Sequence, residues 1–128
     1  MNIIEKTTEF SRDFEFPTTK DRQEILQKTI YFLHEEVIET SDAIDDNNRI
    51  EIIDGFGDVA FVALNGIYKE FRTSGDDHET AKMKTISVMR RICEANLAKK
   101  HPDGSIIYAN GKVQKPEGWK PPQYGDLL

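Results

Sequence analysis

The sequence predicts an all-α fold with a four-helix-bundle core, a short N-terminal helix and an extended C-terminal tail that contains a small hairpin. Two observations support this. Over about residues 1–100, apolar residues recur at steps of three and four, the spacing of one helix face. Residues 101–128 hold four of the five prolines and four of the eight glycines, which excludes another long helix there. We expect one domain over 1–128, with the tail starting at about 101.

The first two helices follow from apolar spacing and helix-ending residues. Ile3, Ile4 and Phe10 fit a short first helix that ends before Pro17, because the residue before a proline is disfavoured in helical conformation. Residues 14–19 then form a connection. A long amphipathic second helix is predicted from about Asp21 to about Asp45.

The third helix follows the turn sequence 45–48 and is expected to end near Thr73. Gly55, Gly57 and Gly66 interrupt it, and each costs about 1 kcal/mol relative to alanine. Close approach of another helix or a ligand is therefore the expected compensation.

The fourth helix and the tail complete the chain. Apolar spacing predicts a helix that ends near Lys100, with Cys93 on its buried face. The Asn110–Gly111 pair predicts the hairpin turn, since Asn-Gly favours the turn types that hairpins need. Trp119 and Tyr124 indicate a docked tail.

Charge and composition narrow the classes of partner. The net charge is −6, and no basic surface is evident that could neutralise a phosphate backbone, so we expect no duplex nucleic acid as partner. No stretch approaches the roughly 20 apolar residues of a membrane span, so we expect no membrane partner. An acidic N-terminus and a single cysteine favour a cytoplasmic protein.

Acidic side chains are concentrated between residues 35 and 58, where nine acids accompany one base. The second helix carries the pattern E-E-x-x-E, and the third helix carries acids within an apolar run. Four of them are expected to face the bundle, where unpaired carboxylates would cost too much free energy: Glu36, Glu39, Asp54 and Asp58. A divalent cation would offset that cost, and Mg²⁺ prefers such oxygen ligands. A solvated helix face is the alternative, mainly for Glu35 and Glu51.

Other metal chemistries fail on spacing. No histidine is preceded three residues earlier by a glutamate, as a di-iron bundle requires, and no acidic loop has the central glycine of an EF-hand. The chain also lacks H-E-x-x-H, Walker and G-x-S-x-G motifs.

In order along the chain, the acidic patterns and two later motifs resemble the all-α NTP pyrophosphohydrolases, closest to the MazG-like, phosphoribosyl-ATP-pyrophosphohydrolase-like branch. The motifs are E-E-x-x-E at 35–39, D-x-x-x-D at 54–58, N-L-A-K at 96–99 and G-K-V-Q-K-P-E-G-W at 111–119. Many members have E-x-x-D on the third helix. Here Gly55 occupies the glutamate position, and Asp54 is the natural substitute.

The resemblance implies Mg²⁺-dependent hydrolysis of a nucleoside triphosphate to the monophosphate and pyrophosphate, with Mn²⁺ as a possible substitute. Glu36, Glu39, Asp54 and Asp58 would be the metal ligands. Glu35 would be a further ligand or would orient the attacking water, so the catalytic group comprises Glu35, Glu36 and Glu39. Substrate-binding residues would be Asn96, Lys99, Lys112 and Lys115. For Asn96 and Lys99, an ordinary polar helix end is the alternative; for the two tail lysines, the alternative is a tail that only closes the bundle.

Two other functions remain open. One is phosphoribosyl-ATP pyrophosphohydrolase activity, which uses the same acid constellation. The other is a non-catalytic helical regulatory module whose acids bind a structural metal. In each case we expect self-association as a homodimer or homotetramer, because the long second and third helices leave apolar surface and relatives assemble in this way.

Overall fold

The computed structural model describes residues 2–15 and 20–128 and confirms the all-α fold. Its elements are α1 (Ile3–Phe10), a π-helical turn (Ser11–Glu15), α2 (Arg22–Asp45), α3 (Arg49–Thr73), α4 (His78–Leu97), β1 (Tyr108–Ala109), β2 (Lys112–Val113) and a 3₁₀ turn (Gly125–Leu127). The connection predicted over 14–19 is wrong for 14 and 15, which belong to the π-helical turn. Residues 16–19 lie outside the described residues.

The chain divides within α4 into two compact units, Met1–Thr85 and Ile86–Leu128.

Side-chain caps set the starts of the first three helices. The Asn2 side chain accepts a hydrogen bond from the Glu5 backbone N–H, and Glu5 accepts one from the Asn2 N–H, forming a capping box. The Asp21 and Asn48 side chains cap α2 and α3 by accepting hydrogen bonds from the backbone N–H groups of Glu24 and Glu51. These caps satisfy backbone donors that have no partner within their own helix.

In the first unit, α2 and α3 form an antiparallel helix pair joined by a short turn in which Asn47 has a φ of 52°. α1 packs on α3: the rings of Phe10 and Phe61 lie 5.2 Å apart, and Ser11 Oγ donates a 2.7 Å hydrogen bond to Asn65 Oδ1. The C-terminal part of α2 and the N-terminal part of α3 therefore lie side by side.

The interior of the first unit centres on Tyr68, which is fully buried. Its hydroxyl lies 2.8 Å from His78 Nδ1 and accepts a 2.7 Å hydrogen bond from Arg72. Many apolar side chains on α2 and α3 are instead exposed: Ile30, Val37, Ile38, Ile44, Ile50, Ile53 and Phe56. One copy of the chain thus leaves a large part of its apolar helix surface uncovered.

In the second unit, the tail folds onto the end of α4. Trp119 Nε1 donates a 2.7 Å hydrogen bond to the Ala95 carbonyl, which confirms the predicted docking of the tail. Asn110 and Gly111 both have positive φ and form the predicted hairpin turn between β1 and β2. Cys93 is exposed, so its predicted core position is wrong.

Among the described residues, none of the helices is long and apolar enough to cross a membrane.

Candidate functional site

The acidic residues of α2 and α3 lie near a close contact between the two helices, at Thr40 and Gly55. Gly55 is buried, and a Cβ atom at this position would lie 2.2 Å from Thr40 Oγ1. Thr40 donates a 2.7 Å hydrogen bond to the Glu36 carbonyl. A glycine at 55 therefore allows the helix segment with Asp54 and Asp58 to lie against the segment with Glu36.

Glu36 is the electrostatic centre of this group. Partial burial raises the pKa of its carboxyl group first, and neighbouring negative charges raise it further. Those charges belong, in decreasing order of effect, to Asp58, Glu39, Asp54 and Glu35. Because acids on both helices destabilise the charged form of Glu36, this pair of helices forms one region of negative potential. We call these five residues the acidic cluster.

Burial within the acidic cluster differs from the prediction. Glu36 is half-buried, but Glu39, Asp54 and Asp58 are exposed. The expectation that these three face the interior is therefore wrong. The apolar residues beside them are also largely exposed. The apolar spacing therefore identifies a helix face that a single copy of the chain leaves open to solvent.

The acidic cluster offers the donor chemistry of a hard divalent cation. Carboxylate oxygens are the ligands that Mg²⁺ prefers, and a bound cation would relieve the repulsion that acts on Glu36. As placed in residues 2–15 and 20–128, no three histidine, cysteine, aspartate or glutamate side chains converge closely enough to hold one metal ion. The oxygen donors are of the type that Mg²⁺ prefers, but the side chains would have to change rotamer to converge on one ion. Exposed carboxylates can do so without disturbing the core.

Tyr31 is a neighbour of the cluster that the sequence analysis missed. A hydrogen bond to Glu35, together with the Glu35 charge, raises the pKa of the Tyr31 hydroxyl. The signal was available in the sequence, because residues four apart on a helix lie on the same face. Tyr31 therefore lies beside the carboxylate expected to orient water.

Two residues that follow Asp58 at helical spacing on α3, Phe61 and Asn65, connect the acidic region to α1. Phe61 contacts Phe10, and the buried amide of Asn65 accepts a hydrogen bond from Ser11. These residues are thus helix contacts, and they fix α1 on α3.

The later motif residues gather around Trp119 in the second unit. Lys115 Nζ lies 4.7 Å and Lys99 Nζ 5.5 Å from the centre of the Trp119 ring system. Lys99 also donates a 2.8 Å hydrogen bond to Asn96 Oδ1. The structure therefore brings together three of the four residues predicted to bind substrate. The fourth, Lys112, is an exposed residue of β2. Among the described residues of the second unit, it is not one of the lysines that lie over the Trp119 ring.

Comparisons with known proteins add no relative to this description. Neither protein-family models, nor curated proteins, nor solved structures match the chain.

Proposed function

We propose that the chain is a Mg²⁺-dependent nucleotide pyrophosphohydrolase of the MazG-like type, which cleaves a (d)NTP to the (d)NMP and pyrophosphate. The observation that carries the proposal is the electrostatic coupling across the two helices, in which acids of both α2 and α3 raise the pKa of Glu36. Such a concentration of carboxylates destabilises the metal-free site and favours a divalent cation.

The first unit supplies the groups that would act at the α-phosphorus. Glu36, Glu39, Asp54 and Asp58 would hold Mg²⁺, or Mn²⁺ in its place. When bound, the cation acidifies water and neutralises charge on the leaving pyrophosphate. Glu35, which lies beside Tyr31, would be a further ligand or orient the attacking water. The five carboxylates are expected to titrate as a coupled set.

Within the second unit, the residues that the resemblance assigns to substrate binding form a cationic group around Trp119. Lys99 and Lys115 hold their ammonium groups near one aromatic ring, with Asn96 restraining Lys99. This arrangement presents two positive charges and an amide to a polyanionic ligand. Lys112, exposed on β2, would reach the same ligand from the hairpin.

The test is pyrophosphate release from a panel of canonical and modified ribo- and deoxyribonucleoside triphosphates and phosphoribosyl-ATP, with Mg²⁺, Mn²⁺ or EDTA. Glu39→Ala and Asp58→Ala should abolish metal-dependent release. Glu24→Ala, an exposed acid on α2 outside the acidic cluster, should retain it. Release from phosphoribosyl-ATP alone would assign the alternative substrate.

A non-catalytic metal-binding helical module is the second candidate. It would use the same carboxylates of α2 and α3, whose charges raise the pKa of Glu36, to hold a structural cation without a nucleotide. Metal-dependent thermal stabilisation without turnover of any nucleotide would establish it, since a ligand that binds only the folded state raises its stability.

With either function, the protein would be cytoplasmic. It would also associate with itself as a homodimer or homotetramer. Ile50 and Ile53 are 78% and 69% exposed on α3, beside other uncovered apolar residues of α2 and α3. An apolar surface of this kind is usually an interface, and a second copy carries the matching apolar helices. Light scattering should give two or four times the mass of one chain, and Ile53→Glu should reduce it. A monomeric wild-type chain would contradict this part of the proposal.

A further inference from the structure

A second charged site lies in the first unit, where residues of α2, α3 and the π-helical turn, together with Lys20, line an open cavity of about 240 Å³. Three lysines line it: Lys20, Lys28 and Lys69. Phe14 and Phe32 supply aromatic surface to the same cavity. Its volume is below the roughly 300–1,000 Å³ of pockets for drug-sized ligands, so it suits a small molecule.

The cavity has an excess of positive charge. Lys69 is 6% exposed and forms an ion pair with Glu15, and its Nζ lies 3.4 Å from Thr29 Oγ1. Glu15 is the single acid among the lining residues, against three lysines. The net charge of the lining is therefore +2, from three positive charges and one negative charge.

Repulsion between the lysines shows that this charge is concentrated. Lys20 lowers the pKa of Lys28, first because its side chain lies within hydrogen-bonding reach of the Lys28 amine and then because its charge repels the charged form, and Lys69 contributes in the same direction. The Lys28 ammonium also lies 5.6 Å from the centre of the Phe32 ring. Positive charge gathered beside aromatic surface is favourable for an anion that carries a flat apolar group.

The cavity is separate from the acidic cluster. Thr29, which lines the cavity, precedes Glu36 on α2 by seven residues, which corresponds to about 10 Å along the helix axis. Two full turns of α2 thus separate a positive site from a negative one on the same face of the helix.

We propose that this cavity binds a phosphate monoester carried by an aromatic ring, with the phosphate among Lys20, Lys28 and Lys69 and the ring against Phe14 and Phe32. A phosphate monoester has a charge of about −1.5 to −2 at neutral pH, which matches the lining better than the single charge of a carboxylate. The inference does not depend on the metal-dependent reaction proposed above.

The test is calorimetric titration of the full chain with phenyl phosphate in EDTA, which removes any contribution from divalent metal. Lys28→Gln should weaken binding about tenfold, the effect of losing one charged hydrogen-bond donor. Lys28→Arg should preserve it, and Lys6→Gln, an exposed lysine of α1 outside the cavity, should leave it unchanged. Glu15→Gln should strengthen binding, because it removes the negative charge from the lining.

Three results would overturn the proposal. Equal affinity of wild-type and Lys28→Gln chains for phenyl phosphate would show that Lys28 does not bind the phosphate. Equal affinity for phenol or benzoate would remove the requirement for a phosphate. Loss of binding in Glu39→Ala rather than in Lys28→Gln would place the ligand at the acidic cluster. Because the titration contains no divalent metal, failure of this inference leaves the proposed hydrolysis untouched, and the reverse also holds.

Discussion

A Cβ atom at Gly55 would lie 2.2 Å from the Oγ1 atom of Thr40, a separation that real side chains do not tolerate. Thr40 cannot easily turn away, because its hydroxyl donates a hydrogen bond to the Glu36 carbonyl. The acidic cluster therefore depends on a glycine at position 55. Many members of the family that the motifs resemble carry a metal-binding glutamate at this position. In this chain that position serves contact between the helices.

Gly55→Ala should destabilise the protein by about 1–3 kcal/mol, the usual cost of overpacking a contact. Gly57→Ala is the matched control: it lies on the same helix, and nothing lies within 4 Å of an added Cβ. That variant should gain up to about 1 kcal/mol from helix propensity. Urea unfolding of the two variants gives both values, and equal stabilisation by both would contradict the close approach at Thr40.

The raised pKa of Glu36 predicts a pH dependence of stability. Because its folded-state pKa lies above the usual value of 4.5, the folded chain binds this proton more tightly than the unfolded chain does. The resulting stabilisation is complete below about pH 4.5 and is lost as the pH rises through the folded-state pKa. In EDTA, the stability of wild type relative to Glu36→Gln should therefore fall with rising pH. A difference that stays constant from pH 4 to 7 would argue against the charge coupling.

Tyr68→Phe should cost about 1–3 kcal/mol, because it deprives His78 and Arg72 of a buried hydroxyl partner. Tyr108→Phe, at a side chain that is 67% exposed, is the control and should change the free energy of unfolding by less than about 0.5 kcal/mol. Thermal or urea unfolding measures both, and equal effects would show that the Tyr68 hydroxyl contributes nothing to stability.

Trp119 is the sole tryptophan of the chain, so its fluorescence reports on the lysines around it. Addition of a non-hydrolysable nucleotide with Mg²⁺ should change this fluorescence, because phosphates would draw Lys99 and Lys115 from the ring. Lys115→Ala should reduce the change, whereas Lys120→Ala, an exposed lysine next to Trp119 in sequence, should not. An identical response in the two variants would remove Lys115 from the nucleotide site.

Local signals predicted the elements well. The capping side chains Asp21 and Asn48 precede helices whose bounds agree with the apolar spacing, and Asn110–Gly111 forms the hairpin turn. Burial was predicted poorly, because apolar spacing identifies a face without identifying what covers it. For this reason Cys93, Glu39 and Asp58 were predicted to be buried, although all three are exposed.

The glycines show the same division between local and tertiary information. The expected close approach occurs at Gly55, is an ordinary contact at Gly66, and is absent at Gly57 among the described residues. The lysine cavity was missed entirely, since Lys69 is distant in sequence from Lys20 and Lys28 and meets them only after α2 and α3 pair. Sequence spacing reports neighbours along one helix, whereas a cavity is made by several elements.

The central claim is that acids from α2 and α3 together hold a divalent cation, and titration with Mn²⁺ followed by electron paramagnetic resonance tests it most directly. Wild type and Glu24→Gln should bind Mn²⁺ with the same affinity. Glu36→Gln on α2 and Asp58→Asn on α3 should each weaken binding about tenfold or more, because loss of a direct ligand should cost at least as much as loss of a residue that only supports a ligand. Unchanged Mn²⁺ affinity in both cluster variants would contradict the account.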